Sequence, residues 1–555
     1  MCYLQVINDL LEEDLMNDSE KLVNEIENQK LDAEPITYQG LKSKLIKARM
    51  DFLKPKDNED KNDSENNDTP AKPKLDTYDV AKILYANCHF CMFKHGSNAR
   101  LATYDVEKGI YTYDYSRLRI YISYVAPRFG KSTADTVIYH LINMVGAEPV
   151  VKRFSDPELV PVGNGIYEPK TNTLYPFSSS HFITSKIQTC LPYRNLQGKL
   201  TIARSTSPVT IEKLESPKIT NINGSVWDFD SWLMTIADND AEIYKLLWQV
   251  IAVACNTNIQ MNQAIFLLGK SLGNNGKGTF QALIQNMVGE DNYAMKKINQ
   301  FQKRFALDDL VGKSVVIGDD NPTNVVIDDK SDFNSIVTND PVSVEPKGEK
   351  AYTTKLNLTV IQSCNAMPRF KDDGGVYRRM VIVPFNADFN GQKENKAIKN
   401  NYLANRTVLQ YVLYHALNQK SFESYSVPAA AIEALEKYEH VNNPISSFID
   451  DVFENKDGYI GLKDIERLPM DYLYGVWKTY AKENNYHDVG RNTFNQRTLD
   501  RVKQLHPNDE YNLKREKLRR EDCEKIKKHQ SDDYCYTGTK NFTYGKTKTC
   551  LEKLK

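Results

Sequence analysis

The chain has 555 residues, 41% apolar and 26% charged, a globular composition that excludes a fibrous repeat and a wholly disordered chain. It is also too long for one small core and predicts about three or four domains of ~100–200 residues each. Lys+Arg 72 against Asp+Glu 73 leaves a net charge of −1, so no uniform basic field announces a nucleic-acid or membrane partner, and any such site must be local. The longest apolar runs, Ala264 to Leu268 and Val250 to Cys255, fall short of the ~18 residues of a membrane span. Nine cysteines, an odd number spread over the chain, read as reduced thiols in a cytoplasmic compartment.

In chain order, residues 1–53 open on an acidic helical pattern (Leu10, Leu11, Leu15, Leu22, Val23, Ile26) and not on a signal peptide. This predicts a short helical N-terminal segment. Residues 54–76, with their Lys, Asp, Asn and Pro, predict a disordered linker, because such a stretch cannot bury enough surface to offset the entropy of ordering it. Residues 77–225 are rich in Tyr and β-branched residues, and predict an α+β domain with hairpins at Ile110 to Tyr113, at Gly163-Asn164-Gly165 and at Pro169-Lys170-Thr171-Asn172. In the same stretch Cys88, Cys91 and His95 have spacing suggestive of zinc, as do Cys523, His529, Cys535 and Cys550 later. Neither group has a second pair at finger spacing, and both read better as core thiols.

Residues 226–395 predict an α/β P-loop core. Gln263 to Leu268 reads as a buried strand, followed by Gly269-Lys270-Ser271-Leu272-Gly273-Asn274-Asn275-Gly276-Lys277-Gly278-Thr279. The amides of such a loop can face phosphate oxygens, with Lys277 reaching the β and γ phosphates of ATP. Phe280, Leu283, Ile284 and Met287 recur at helical spacing behind it. The strict pattern G-x-x-x-x-G-K-[ST] would place a glycine at Ser271 and a hydroxyl at Gly278, and Thr279 is the nearest substitute. Some 40 residues on, Lys313 to Asp320 reads as a strand ending in Asp319 and Asp320, suited to Mg²⁺ and an attacking water. Leu356 to Cys364 is a third strand, ending at Asn365, a candidate sensor of the γ-phosphate. Arg378 and Arg379 are candidate arginine fingers for a neighbouring subunit.

These motifs, in this order and spacing and together with Asp340 to Glu345 and Pro368-Arg369, resemble the superfamily III helicase ATPases. Those are AAA+ motors of viral and mobile-element replication, here in the branch of poxvirus and phage primase-helicases. The resemblance covers roughly residues 80–390, with a looser likeness to the self-loading initiators of staphylococcal pathogenicity islands. It implies a homo-hexameric ring translocating on single-stranded and forked DNA. It also implies that a hairpin with Lys347 at its tip, and Lys350 beside it, projects into the channel and holds phosphates. Too few residues precede the similarity for a primase domain, so a separate primase and host replication proteins are expected.

Residues 396–555 predict a mostly helical, winged-helix-like domain with a basic tail. Arg491, Asn492, Gln496 and Arg497 lie on a helix whose Phe494 and Leu499 face the core, and would contact origin duplex DNA. A solvated amphipathic helix is the alternative. Residues 501–555 hold 15 Lys+Arg and 9 Asp+Glu, so the neutral total hides a basic end. The alternatives to a helicase are an origin-binding protein with a degenerate P-loop and an ATPase that remodels nucleic acid without unwinding it.

Overall fold

A computed structural model describes residues 37–54, 74–94, 96, 99–220, 224–256, 258–269, 273–322, 326–327, 329–348, 350–370, 375–390, 395–454, 462–484, 486, 489–530 and 542–554. It divides into two compact units, Met1–Lys186 with Tyr193–Ile211, and Ile187–Pro192 with Glu212–Lys555. Leu10 to Ile26, most of the expected linker, His95 and Cys535 lie outside the described residues. Among those described, no helix is long and apolar enough to cross a membrane.

In the first unit, α1 (Tyr38–Phe52), α2 (Thr77–Asn87), α3 (Tyr115–Val125) and α4 (Lys131–Gly146) gather with strands β1 (Phe90–Cys91), β2 (Ala102–Asp105) and β3 (Ile110–Thr112). Helix α1 starts where the Thr37 hydroxyl accepts the Gly40 N–H, which satisfies one of its free amides. Its Leu41 and Leu45 enter the same apolar core as Val80, Leu84, Leu118 and Leu141. Helix α1 therefore packs into the core of this unit. Beyond α4, β4 (Val160–Val162), β5 (Gly165–Glu168), β6 (Thr173–Tyr175) and β7 (Val209–Thr210) form an antiparallel sheet in that order. The glycine and asparagine turns stand where the sequence puts them. A Cβ on Gly165 would lie 2.4 Å from the Tyr175 carbonyl oxygen, so only glycine allows this pairing.

The second unit carries α5 (Phe229–Ile236), α6 (Ala241–Ala254), β8 (Ala264–Gly269), α7 (Lys277–Val288), β9 (Tyr293–Met295), β10 (Val315–Gly318) and α8 (Ser331–Val337). It continues with β11 (Val342–Val344), β12 (Tyr352–Thr354), β13 (Thr359–Cys364), β14 (Met380–Phe385), α9 (Lys396–Asn400), α10 (Arg406–Leu417) and α11 (Ala429–Asn442). A five-stranded sheet has the order β9-β10-β13-β8-β14, and every pairing in it is parallel. Its strands β8, β10, β13 and β14 are almost wholly buried because both faces are covered, with Ala264, Phe266, Val316 and Ile382 in one continuous core. β11 and β12 form a separate antiparallel hairpin.

The C-terminal segment is mostly helical but not helical throughout. Around α12 (Pro444–Phe448), α13 (Met470–Glu483), α14 (Arg491–Leu505) and α15 (Arg520–Gln530) it adds a three-stranded antiparallel sheet. The sheet consists of β15 (Arg467–Pro469), β16 (Glu510–Lys517) and β17 (Thr547–Leu554), in the order β15-β17-β16. Lys514, Arg515 and Lys517, expected in a basic tail or helix, are ladder residues of β16. The Tyr511 and Leu513 side chains, two apart, reach the core of Trp477, Phe494 and Leu551, and this period of two overrides the helical reading.

Leu45 is fully buried. Leu45→Ala is expected to lower the stability of the first unit by about 2–5 kcal/mol, seen as an earlier transition in urea. An unchanged transition would show that α1 is not part of that core.

Candidate functional site

Three parallel strands end at one edge of the sheet. Leu268 pairs with Cys364, and Gly318 pairs with Gln362, so the residues that follow β8, β10 and β13 emerge side by side. The end of β8 is Gly269, and the loop runs through Gly273 (φ 69°), Asn274 (φ 48°) and Gly276 (φ 88°) before α7 begins at Lys277. This run of left-handed residues turns backbone N–H groups into a concave nest at a helix N-terminus, which suits an anion. As the spacing predicts, Phe280, Leu283, Ile284 and Met287 are fully buried under α7.

Lys277 is folded back over the loop. Its ammonium donates to Asn275 Oδ1 at 2.7 Å and to Asn365 Oδ1 at 2.9 Å. A Cβ on Gly269 would lie 1.9 Å from Lys277 Nζ, so the lysine needs the bare backbone of Gly269 to lie there. Burial pulls the Lys277 pKa below the usual lysine value, opposed by the charges of Asp320 and Asp319. Next to it, burial pushes the Cys364 thiol up to about 12, so this cysteine is a neutral core group.

Asp319 and Asp320 stand exposed at the end of β10. Ser363 joins them to β13, because its hydroxyl donates to Asp319 Oδ1 at 2.8 Å and accepts the Asp320 N–H at 3.0 Å. Beneath this pair is a buried polar network that sequence reading did not find. Asn321 Nδ2 donates to Gln362 Oε1 and to the Ser363 carbonyl, each at 3.0 Å, while Asn321 Oδ1 accepts the Ile298 N–H at 3.0 Å. Gln281 Nε2 donates to the Gly318 carbonyl at 3.3 Å, and Gln362 Nε2 to that of Lys296 at 3.3 Å.

These groups face one cavity of about 810 Å³, lined by residues 273–279 with Asp319, Asp320 and Asn365. Gly273, Asn274, Asn275, Gly276, Lys277, Gly278, Thr279, both acids and Asn365 thus converge as the sequence suggests, while 270–272 lie outside the described residues. Sequence reading missed the rest of the lining, to which Trp227, Trp232, Phe389, Lys396 and Lys399 contribute. Phe389 is tied to the loop, with its N–H on the Asn274 carbonyl and its carbonyl on Asn274 Nδ2, both at 3.0 Å. Lys399 Nζ lies 3.8 Å from where a Cβ on Gly278 would stand, so this amine sits beside the start of α7. The only sequence signal was a pair of lysines in a five-residue helix.

The structure does not bring the other candidates to this cavity. Arg378 is exposed before β14, and Arg379 donates to the Gly375 carbonyl at 2.7 Å. Lys347 and Lys350 are exposed at the β11–β12 hairpin, Lys347 in its turn beside Gly348 (φ 82°). Of the helix α14 residues, Arg491 is ion-paired to Asp471 and Gln496 donates to Asp500 at 3.0 Å, while Asn492 is exposed and Arg497 half-buried. Phe494 is core and Leu499 packs against it. Among the described residues no cluster fit to hold a metal ion through His, Cys, Asp and Glu occurs. Burial pushes the thiols of Cys88, Cys91 and Cys550 up to about 12, as befits core cysteines.

Residues 269–379 match a family of unknown function (DUF5906), and residues 440–535 match the family described as Poxvirus D5 protein-like. The second match relates the C-terminal segment to that family. Among solved structures, the chain is similar to the apo C-terminal region of NrS-1 in an A form, at 12% identity and a TM-score of 0.40, covering 80% of this chain and 97% of that one. A second apo structure of the same region gives 12% identity and 0.39 over the same shares.

Asn321 is almost wholly buried, and Asn321→Ala would leave the Ile298 N–H without its acceptor. The variant is expected to fold with a stability lower by about 1–3 kcal/mol, read as a shifted urea midpoint. Wild-type stability would show that the network bears no weight.

Proposed function

We propose that the chain is an ATP-hydrolysing, DNA-translocating helicase of AAA+ type that acts in replication. The observation that carries this reading is the convergence of the Lys277 loop, Asp319, Asp320 and Asn365 on one cavity at the carboxyl edge of a parallel sheet. The loop and cavity fit a nucleoside triphosphate. The amide nest with Lys277 suits the phosphates, and the Trp227 and Trp232 wall offers aromatic surface for a base. Lys399 adds a cation beside the start of α7.

Asp319 and Asp320 would hold Mg²⁺, with Thr279 the nearest hydroxyl, and the bound ion would neutralise phosphate charge. Of the two acids, Asp319 is oriented by the Ser363 hydroxyl and suits positioning of water. Asn365, already on the Lys277 ammonium, is placed to follow the terminal phosphate. Arg378 is exposed and away from its own cavity, as a residue acting on a neighbouring subunit must be. A homo-hexamer on single-stranded or forked DNA, with separate primase and host replication proteins, completes the reading. The match of residues 440–535 to the D5-like family supports a replication role. The α13, α14 and β16–β17 arrangement suits a winged helix on origin duplex, where Asn492 is the most available base-contacting side chain.

Lys277→Ala is expected to reduce ATP hydrolysis to background, with and without single-stranded DNA, because the variant loses the ammonium held at the start of α7 by Asn275 and Asn365. Equal rates in wild type and variant would sink the ATPase reading and leave an origin-binding protein with a degenerate loop. ATP hydrolysis without strand displacement on a forked duplex would instead indicate a remodelling ATPase.

Lys347→Ala is expected to abolish strand displacement while basal ATP hydrolysis persists, since Lys347 is exposed at a hairpin tip and touches nothing in the cavity. Intact displacement by this variant would exclude the tip as the DNA grip.

A further inference from the structure

The first unit holds a second group of cations that the nucleotide cavity does not use. Phe93 and Lys94 follow β1, Arg100 precedes β2, Tyr113 follows β3, and Arg153 lies in the extended chain after α4. Arg153 Nη2 donates to the Tyr113 hydroxyl at 2.8 Å. Its guanidinium lies 5.0 Å from the Phe93 ring centroid and 6.0 Å from that of Tyr113, and the Arg100 guanidinium lies 5.2 Å from the same Tyr113 ring. Phe93 is fixed in turn, edge-on to buried Tyr111 at 6.4 Å, and Tyr111 leans on Phe182 at 5.7 Å.

Among the described residues, Arg100 and Arg153 have aromatic rings and a hydroxyl as partners, and neither has a carboxylate. Nearby arginines are treated otherwise: Arg119 pairs with Asp135 at 2.7 Å, and Arg117 with Asp105 at 3.9 Å. Burial, with the charges of Arg153 and Arg100 added, holds the Lys94 pKa below the usual lysine value. Like charges at this spacing repel, and a polyanion is the ligand that relieves them. All five residues are half-buried, so part of each remains accessible.

We propose that Phe93, Lys94, Arg100, Tyr113 and Arg153 form a binding site for the phosphate backbone of single-stranded nucleic acid. A guanidinium laid on an aromatic ring keeps its N–H edge for phosphate oxygens and its outer face for a stacked base. The two guanidinium groups share the Tyr113 ring, so a strand that spans both arginines gains contacts that one small anion cannot make. The choice of nucleic acid over other polyanions rests on the function proposed above.

The test uses the full-length protein on a Lys347→Ala background, without nucleotide, and a fluorescent oligodeoxythymidylate titrated by anisotropy over a salt series. Arg100→Gln with Arg153→Gln is expected to weaken binding about tenfold and to lower the slope of log affinity against log salt by about 1.4, from ~0.7 for each of two phosphates. Arg100→Lys with Arg153→Lys should keep the slope and lose affinity, since charge remains and the planar stack does not. A merely structural role would leave the slope unmoved. If Arg153→Gln melts early, Arg100→Gln alone should lower the slope by about 0.7.

Unchanged affinity and slope would overturn the site. Equal competition by inorganic pyrophosphate at matched ionic strength would overturn the assignment to a polymer. The two failures are separable, because a wild-type ATPase rate in Lys277→Ala would sink the motor and leave this site standing, whereas unchanged oligonucleotide binding here would do the reverse.

Discussion

The site depends on how the ammonium of Lys277 is held. It is a buried cation gripped by two amide oxygens, Asn275 Oδ1 and Asn365 Oδ1, and not by a carboxylate. A carboxylate partner at the same distance would bind it more tightly and cancel its charge. Neutral acceptors fix its position and leave the charge available to a ligand. The cost is desolvation, which the lowered pKa records, and the acids across the cavity offset part of it. Gly269 is the geometric counterpart of this arrangement, since any side chain there would occupy the space of the ammonium.

Strand β13 ties the rest of the site to that lysine. It lies between β8 and β10, so its last residues touch both the Lys277 loop and the acid pair. Asn365 reaches one way, to Lys277. Ser363 reaches the other way, to the carboxylate of Asp319 and the backbone of Asp320. Gln362 locks β10 from beneath, close enough that a Cβ on Gly318 would lie 1.9 Å from its Oε1. A shift of β13 by one residue would turn each of these side chains to the opposite face. The buried amide network therefore fixes register, and register fixes the site.

Much of this was legible in the sequence because it is local. A buried strand, a glycine loop and a helix with apolar residues at i, i+3, i+4 and i+7 are read from adjacent residues, and the same holds for the Gly163–Asn164 turn and the hairpin around Lys347. What was not legible depends on pairing between distant segments. Asn321, Gln362, Ser363 and Gln281 carry no motif of their own, and only the β10–β13 ladder puts them together in the interior. Lys399 lies in a helix too short to show a period. The strands β16 and β17 were obscured by charge, since alternating Lys, Arg and Glu resemble a solvated helix until Tyr511 and Leu513 are seen to share one buried face.

Net charge was a poor guide at every scale, for a reason the ion pairs make plain. The basic end of the chain suggests a binding surface, yet many of its cations are already engaged: Lys548 with Asp471, Arg519 with Asp522 and Glu466, Lys553 with Asp509, and Lys514 with Glu516. Whether a pair lies at the surface, like Lys553 with Asp509, or has a buried acid, like Arg519 with Asp522, it cancels field. Lys277, Arg100 and Arg153 sit instead in stretches that no charge count picks out, and their partners are amides, a hydroxyl and rings. A cation held by neutral groups keeps its charge for something that is not part of the fold. For a protein of near-zero net charge, the identity of each cation's partner therefore decides where an anion can bind, and the number of cations does not.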